Sequence, residues 1–142
     1  MEATLLQFIN TLDLLLKKEQ LELGNATGFS KLTVSQLQYL DAVSALDKPT
    51  ISEIAEKIRF TKASVTTGVN KLVETGYLIK TQSTHDKREI HVSLSELGET
   101  LAQAKRNTLQ KYSELINSAL DEQESILFTN SLAKIIHKFN LE

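Results

Sequence analysis

The 142-residue sequence predicts a mainly α-helical fold with one small β-hairpin, in the order α-α-α-α-β-β-α-α. Three observations predict it. Apolar residues recur at helical spacing along most of the chain, and the pattern is divided by capping signals. Only two neighbouring stretches alternate as strands do, Leu78 to Gln82 and Ile90 to Leu94, across a hydrophilic run. One proline, five glycines and no low-complexity tract favour long elements joined by short turns.

The first helix is expected over about residues 2–23, where Leu5, Leu6, Phe8, Ile9, Leu12, Leu14, Leu15 and Leu16 surround most of the circumference. A helix apolar on so many sides requires more than one neighbour to cover it. Gly24 and Gly28 are expected to break it. Thr33 with Gln36 forms a capping box for the next helix, which turns Leu37, Leu40 and Val43 inward and stops at Lys48-Pro49. Thr50 with Glu53 repeats the signal ahead of Ile54, Ala55 and Ile58. Thr61 caps a fourth helix that runs to Val73 or Glu74, and Gly76 supplies a left-handed terminus. After the hairpin, Ser95 caps a helix carrying Leu97, Leu101, Ala104, Thr108, Tyr112, Leu115 and Ala119. Asp121 with Glu124 opens the last, with Ile126, Leu127, Leu132, Ile135, Ile136 and Phe139.

Composition excludes several classes of function. The absence of cysteine rules out a disulfide framework, a thiolate zinc site and a cysteine oxidant sensor. No apolar run approaches the roughly 20 residues that span a bilayer, and the amino terminus lacks the features of a signal peptide. A cytoplasmic protein without membrane contact is expected. His85, His91 and His137 have no metal-ligand spacing, no phosphate-binding glycine loop is present, and Glu122 and Glu124 suit a helix start better than acid–base catalysis. Neither a metal, a cofactor nor an enzymatic activity is expected.

The net charge of −2 conceals an uneven distribution. Between Lys57 and His91, seven cations (Lys57, Arg59, Lys62, Lys71, Lys80, Lys87 and Arg88) face three acids (Glu74, Asp86 and Glu89), leaving +4 there and −6 elsewhere. A basic module on an acidic body suits a polyanion. The same region contains two short helices joined by a tight turn at Arg59, a position where glycine is common. Ile54, Ala55, Ile58, Val65, Val69 and Leu72 form their shared core. The second helix turns Ala63, Ser64, Thr67, Asn70, Lys71 and Glu74 the other way, flanked by Lys62 and Thr66. Short hydroxyl side chains allow close approach to DNA and can bond phosphates or base edges.

A helix-turn-helix followed at once by a hairpin is a winged helix-turn-helix. Lys87 and Arg88 lie near the tip of the wing, where Arg88 can enter a minor groove. Asp86 is placed to hold either the guanidinium or the wing backbone.

The layout resembles the MarR family of bacterial winged-helix transcriptional regulators over nearly all of the chain. LTVSQLQYL, ISEIAEKI, SVTTGVNKLVETGYLIK and DKREIHVSLSELG carry the resemblance, the last through Asp86, Arg88, Leu94, Ser95 and Gly98. It implies a single MarR-like domain over 1–142. Residues 1–30 and 96–142 would form a helical dimerisation region, and 31–95 a DNA-binding region. It also implies a homodimer on palindromic double-stranded DNA, with Thr66 and Thr67 near bases, Ser64 and Lys71 near phosphates or base edges, and Arg88 in the minor groove.

The sequence departs from the family pattern at Thr67, where arginine is frequent, and in the STH segment before Asp86. Many members respond to small aromatic acids, for which Phe8, Leu12, Tyr39 and Tyr112 would line a pocket. The expected activity is therefore operator binding, as a repressor. The rival is a winged-helix protein-interaction module that binds no DNA.

Overall fold

A computed structural model describes residues 1–27 and 32–139. They form α1 (Glu2–Thr27), α2 (Val34–Ala45), α3 (Ile51–Ile58), α4 (Lys62–Glu74), β1 (Leu78–Gln82), β2 (Ile90–Leu94), α5 (Glu96–Ala119) and α6 (Glu122–Phe139). The order and both strands agree with the sequence reading. The end of the first helix does not. Gly24 lies inside α1, which continues to Thr27. A single helical glycine costs only about 1 kcal/mol, too little to stop a helix of 26 residues. Gly28 lies outside the described residues.

The chain divides into two compact units, Met1–Lys105 and Arg106–Glu142. Each predicted helix start in the first unit is built as the side chains dictate. Thr33 accepts from the Gln36 amide while the Gln36 side chain accepts from Thr33 N at 2.9 Å. Thr50 and Glu53 exchange the same pair of bonds, with Thr50 N donating to Glu53 at 2.7 Å. Thr61 accepts from Ser64 N, and the Ser95 hydroxyl oxygen accepts from Gly98 N.

The core of this unit gathers Ile54, Ala55, Val65, Val69 and Leu72 from the two short helices, with Leu40, Ala42 and Val43 of α2, Tyr77, Leu78, Val92 and Leu101. Ile58 and Leu37 are partly buried against it. Burial of each large aliphatic side chain contributes on the order of 1.5–3 kcal/mol. Tyr39 joins the same core at 5% exposure. Its ring meets Phe60 edge-on, with centroids 6.0 Å apart, and lies directly over Gly68 of α4. A Cβ on Gly68 would sit 1.9 Å from the Tyr39 ring. Gly76, at φ 85°, is the left-handed terminus that the sequence predicts.

The hairpin is antiparallel, pairing Leu78 with Leu94 and Gln82 with Ile90. Its inner strand is fastened to the segment after α2. Val92 N donates to Pro49 O at 2.8 Å, Thr50 forms a bridge with His91, and the His91 Nδ1 lies 2.7 Å from Lys48 O. Lys105 of α5 reaches Asp41 of α2, at 2.5 and 2.7 Å from its two carboxylate oxygens.

In the second unit, Asp121 and Glu124 exchange capping bonds at the start of α6, and Ser125 donates to Asn117. No residue of α6 is buried. Ile126, Leu127, Leu132, Ile135, Ile136 and Phe139 are all exposed, Phe139 at 73%. On α1 the exposed apolar residues include Leu5, Leu6, Phe8, Ile9 and Leu14.

Gly68→Ala should destabilise the first unit by about 1–3 kcal/mol, measured by urea unfolding, because the added methyl must displace a packed ring. The Glu53 carboxyl is held below its ordinary value, first by its bond from Thr50 N and then by the Thr50 hydroxyl. A lowered native pKa stabilises above the unfolded carboxylate value of about 4.3 and is lost as pH falls through the native value. NMR titration should show Glu53 releasing its proton below the ordinary glutamate value as pH rises. A Glu53→Gln protein should lose that share of the acid sensitivity.

Candidate nucleic-acid interface

The expected reading helix begins where α3 ends. Arg59 adopts φ 56° and ψ 39°, the left-handed conformation that turns the chain, and Thr61 then caps α4. Val65, Val69 and Leu72 are buried, which commits the opposite face of α4 to solvent. Lys62, Ser64, Thr66, Thr67, Asn70 and Lys71 are all exposed on it.

Their polar atoms are not equally available. Thr66 donates to Lys62 O at 2.7 Å and Thr67 to Ala63 O at 3.1 Å, one helical turn back. Thr61 donates to the Ser64 hydroxyl at 2.9 Å. The carbonyl oxygen of Asn70 accepts from the Lys80 ammonium of β1. Lys71 approaches Glu74 at 3.5 Å, both well exposed. An exposed pair of this kind holds the lysine weakly and leaves its charge accessible.

The wing tip is organised by its own backbone. Ser83 N donates to Glu89 O at 2.9 Å, and Glu89 N to Asp86 O at 3.0 Å. The Ser83 hydroxyl oxygen accepts from His85 N and Asp86 N. Asp86 accepts from Arg88 N at 2.9 Å, so of its two anticipated roles it takes the backbone one. Gln82 donates to Lys87 O across the turn. Lys87 and Arg88 are exposed.

Ser64, Thr67 and Lys71 line one open groove together with Thr33, Ser35, Gln36 and Tyr39 from the start of α2. Asp86 and Arg88 line a separate cleft with Thr50, Ile51 and Ser52 at the start of α3. Asn70, Thr66, Lys62 and Lys87 line neither.

Of the four residues expected around an effector, Tyr39 is occupied as core, its hydroxyl 3.5 Å from Ser64 O. Phe8 is exposed and Leu12 half-buried on α1, and Tyr112, in the second unit, is half-buried. Four contributors to the interface carry no such role in the sequence reading. Thr33 and Gln36 read from the sequence as a capping pair alone. Lys80 reads from the sequence only as one of the clustered cations. Ser83 had a recognisable signal, a hydroxyl placed two and three residues before the amides it caps.

His91 lies in β2 opposite Thr81, with Nε2 3.6 Å from Glu89. Among the described residues, no group of three histidines or acids is arranged to hold a metal ion. Nor is any described helix long and apolar enough to cross a membrane.

A model described as the MarR family matches residues 22–89. The uncharacterized HTH-type transcriptional regulator YhjH of Bacillus subtilis (strain 168) is 31% identical over 119 residues, 82% of this chain. The match spans about two thirds of YhjH, at 66% of its length. The transcriptional regulator ZitR of Lactococcus lactis subsp. cremoris is 28% identical over 114 residues, 78% of each chain. Among solved structures, Streptococcus pneumoniae FabT in complex with DNA superposes over 100% of both chains with a TM-score of 0.78 at 19% identity. Lactococcus lactis ZitR, as its C30S mutant, has a TM-score of 0.54 at 27% identity, over 77% of this chain and 76% of its own.

Asp86→Ala should speed hydrogen exchange at the Arg88 amide by up to about tenfold. Global stability should change by less than about 0.5 kcal/mol, since the lost bond is exposed. Unchanged exchange would show that Asp86 does not order the tip.

Proposed function

Because the chain belongs to the MarR family of transcriptional regulators, we propose that it binds a palindromic operator as a homodimer in the cytoplasm and acts as a repressor. One observation carries this reading. The solvent face of α4 bears hydroxyl, amide and ammonium groups, and the hairpin that follows carries Lys87 and Arg88, within the only third of the sequence that is net positive. FabT, whose fold this chain shares, is a protein solved with DNA.

In the proposed complex α4 enters the major groove, where Thr66 and Thr67 meet base edges. Lys62, Ser64, Asn70 and Lys71 hold phosphates or neighbouring edges. Arg88 lies in the minor groove, positioned through the backbone that Asp86 fixes. The separate cleft of the wing suits this division, because phosphate and groove contacts made at two places fix register as well as affinity.

The homodimer is supported by the many exposed apolar side chains on each of α1 and α6, since large exposed apolar surfaces mark protein interfaces. Two recognition helices would then address half-sites about 34 Å apart. A small-molecule effector would release the operator by favouring a different spacing of the two recognition helices. Operator affinity measured with and without aromatic acids tests that step.

Duplex affinity should fall steeply with added salt, as counterion release requires. A flat response would favour a protein-docking role. Arg88→Ala should cost about 1–3 kcal/mol in operator binding while leaving the dimer intact by sedimentation. In a selection from random DNA, Thr66→Ala and Thr67→Ala should relax base preference more than they weaken non-specific binding. Lys71→Ala should weaken both.

A further inference from the structure

Arg59 occupies a backbone position that favours glycine. Its φ of 56° and ψ of 39° crowd any Cβ against the following carbonyl. The fold requires the conformation: Arg59 N turns back to Glu56 O at 3.3 Å and Phe60 N to Ala55 O at 3.0 Å, closing α3. Two residues later Thr61 begins α4. Nothing in the fold requires the arginine side chain. It is exposed, and its guanidinium makes no hydrogen bond or ion pair with any described residue. Lys57 and Lys62 flank it on the two helices, both exposed, which places three cations within six positions around the entry to α4. A left-handed position that the fold needs but that favours glycine, filled by a side chain that the fold does not use, points to a partner outside the chain.

We propose that Arg59 is a phosphate anchor of the DNA interface, gripping the duplex backbone beside the start of α4. The proposal rests on the operator-binding reading above and extends it to a residue of the turn. A guanidinium can hold phosphate oxygens through two parallel N–H bonds. From the turn, rather than from the solvent face of α4, it meets backbone and carries no base preference. Replacement by glycine thereby moves stability and binding in opposite directions, which a purely structural residue would not do.

The test compares full-length wild type, Arg59→Gly and Arg59→Lys on a random-sequence duplex and on a selected site, over a salt series. Arg59→Gly should melt about 2–4 °C higher and bind both duplexes about five- to tenfold more weakly at low salt. With one phosphate lost per protomer, the dimer's logarithmic salt dependence should be shallower by about 2. The base preference of the selected site should be unchanged. Arg59→Lys should retain the wild-type melting temperature and salt slope. Wild-type affinity and slope in a folded Arg59→Gly protein would overturn the anchor, and a lowered melting temperature would overturn the strain argument. A wild-type protein that binds neither duplex would instead overturn the operator-binding reading on which the anchor rests.

Discussion

The placement of α4 depends on one close approach, the ring of Tyr39 lying on the bare backbone of Gly68. An aromatic ring in that space fixes the distance between α2 and α4 more rigidly than a long aliphatic side chain would, because the ring itself is planar and stiff. The same ring meets Phe60, immediately before the Thr61 cap, and its hydroxyl approaches Ser64 O in the first turn. One side chain therefore sets both the depth of α4 and the position of its first turn. The exposed polar face follows, since burial of Val65, Val69 and Leu72 against the core leaves α4 no freedom to rotate.

The wing is held by a different kind of bond. Its base is anchored through main-chain groups at Pro49 and Thr50, and by His91 at Lys48. Its tip is closed by Ser83, Asp86 and Glu89. The hydrophilic run between the strands is thus an ordered turn. Apolar packing at the base and local hydrogen bonds at the tip let the outer residues be almost wholly polar without losing definition.

Element boundaries were legible in the sequence wherever a side chain closes the helix on itself: Thr33 with Gln36, Thr50 with Glu53, Thr61, Ser95, and Asp121 with Glu124. These signals are local, and short-range bonds do not depend on the rest of the fold. The end of α1 was not legible, because Gly24 has only a small helical penalty that its neighbours outweigh. The place of Tyr39 in the core was not legible either. Its role depends on Gly68, 29 positions away, and helical spacing reports a face without reporting what meets it. The exposed set on α4 was readable from the 100° periodicity, whereas the engagement of Asn70 by Lys80 required the hairpin to fold back beside the helix.

The hairpin has only two strands, and an unpaired strand edge is a template on which another chain can add. One edge is already taken, since β2 is bridged to Thr50 and bonded to Pro49. The outer strand, β1, ends in Lys80, Thr81 and Gln82, and a lysine on such an edge makes intermolecular strand pairing unfavourable. The protein can therefore project a hairpin into solvent while resisting the edge-to-edge aggregation to which such projections are prone.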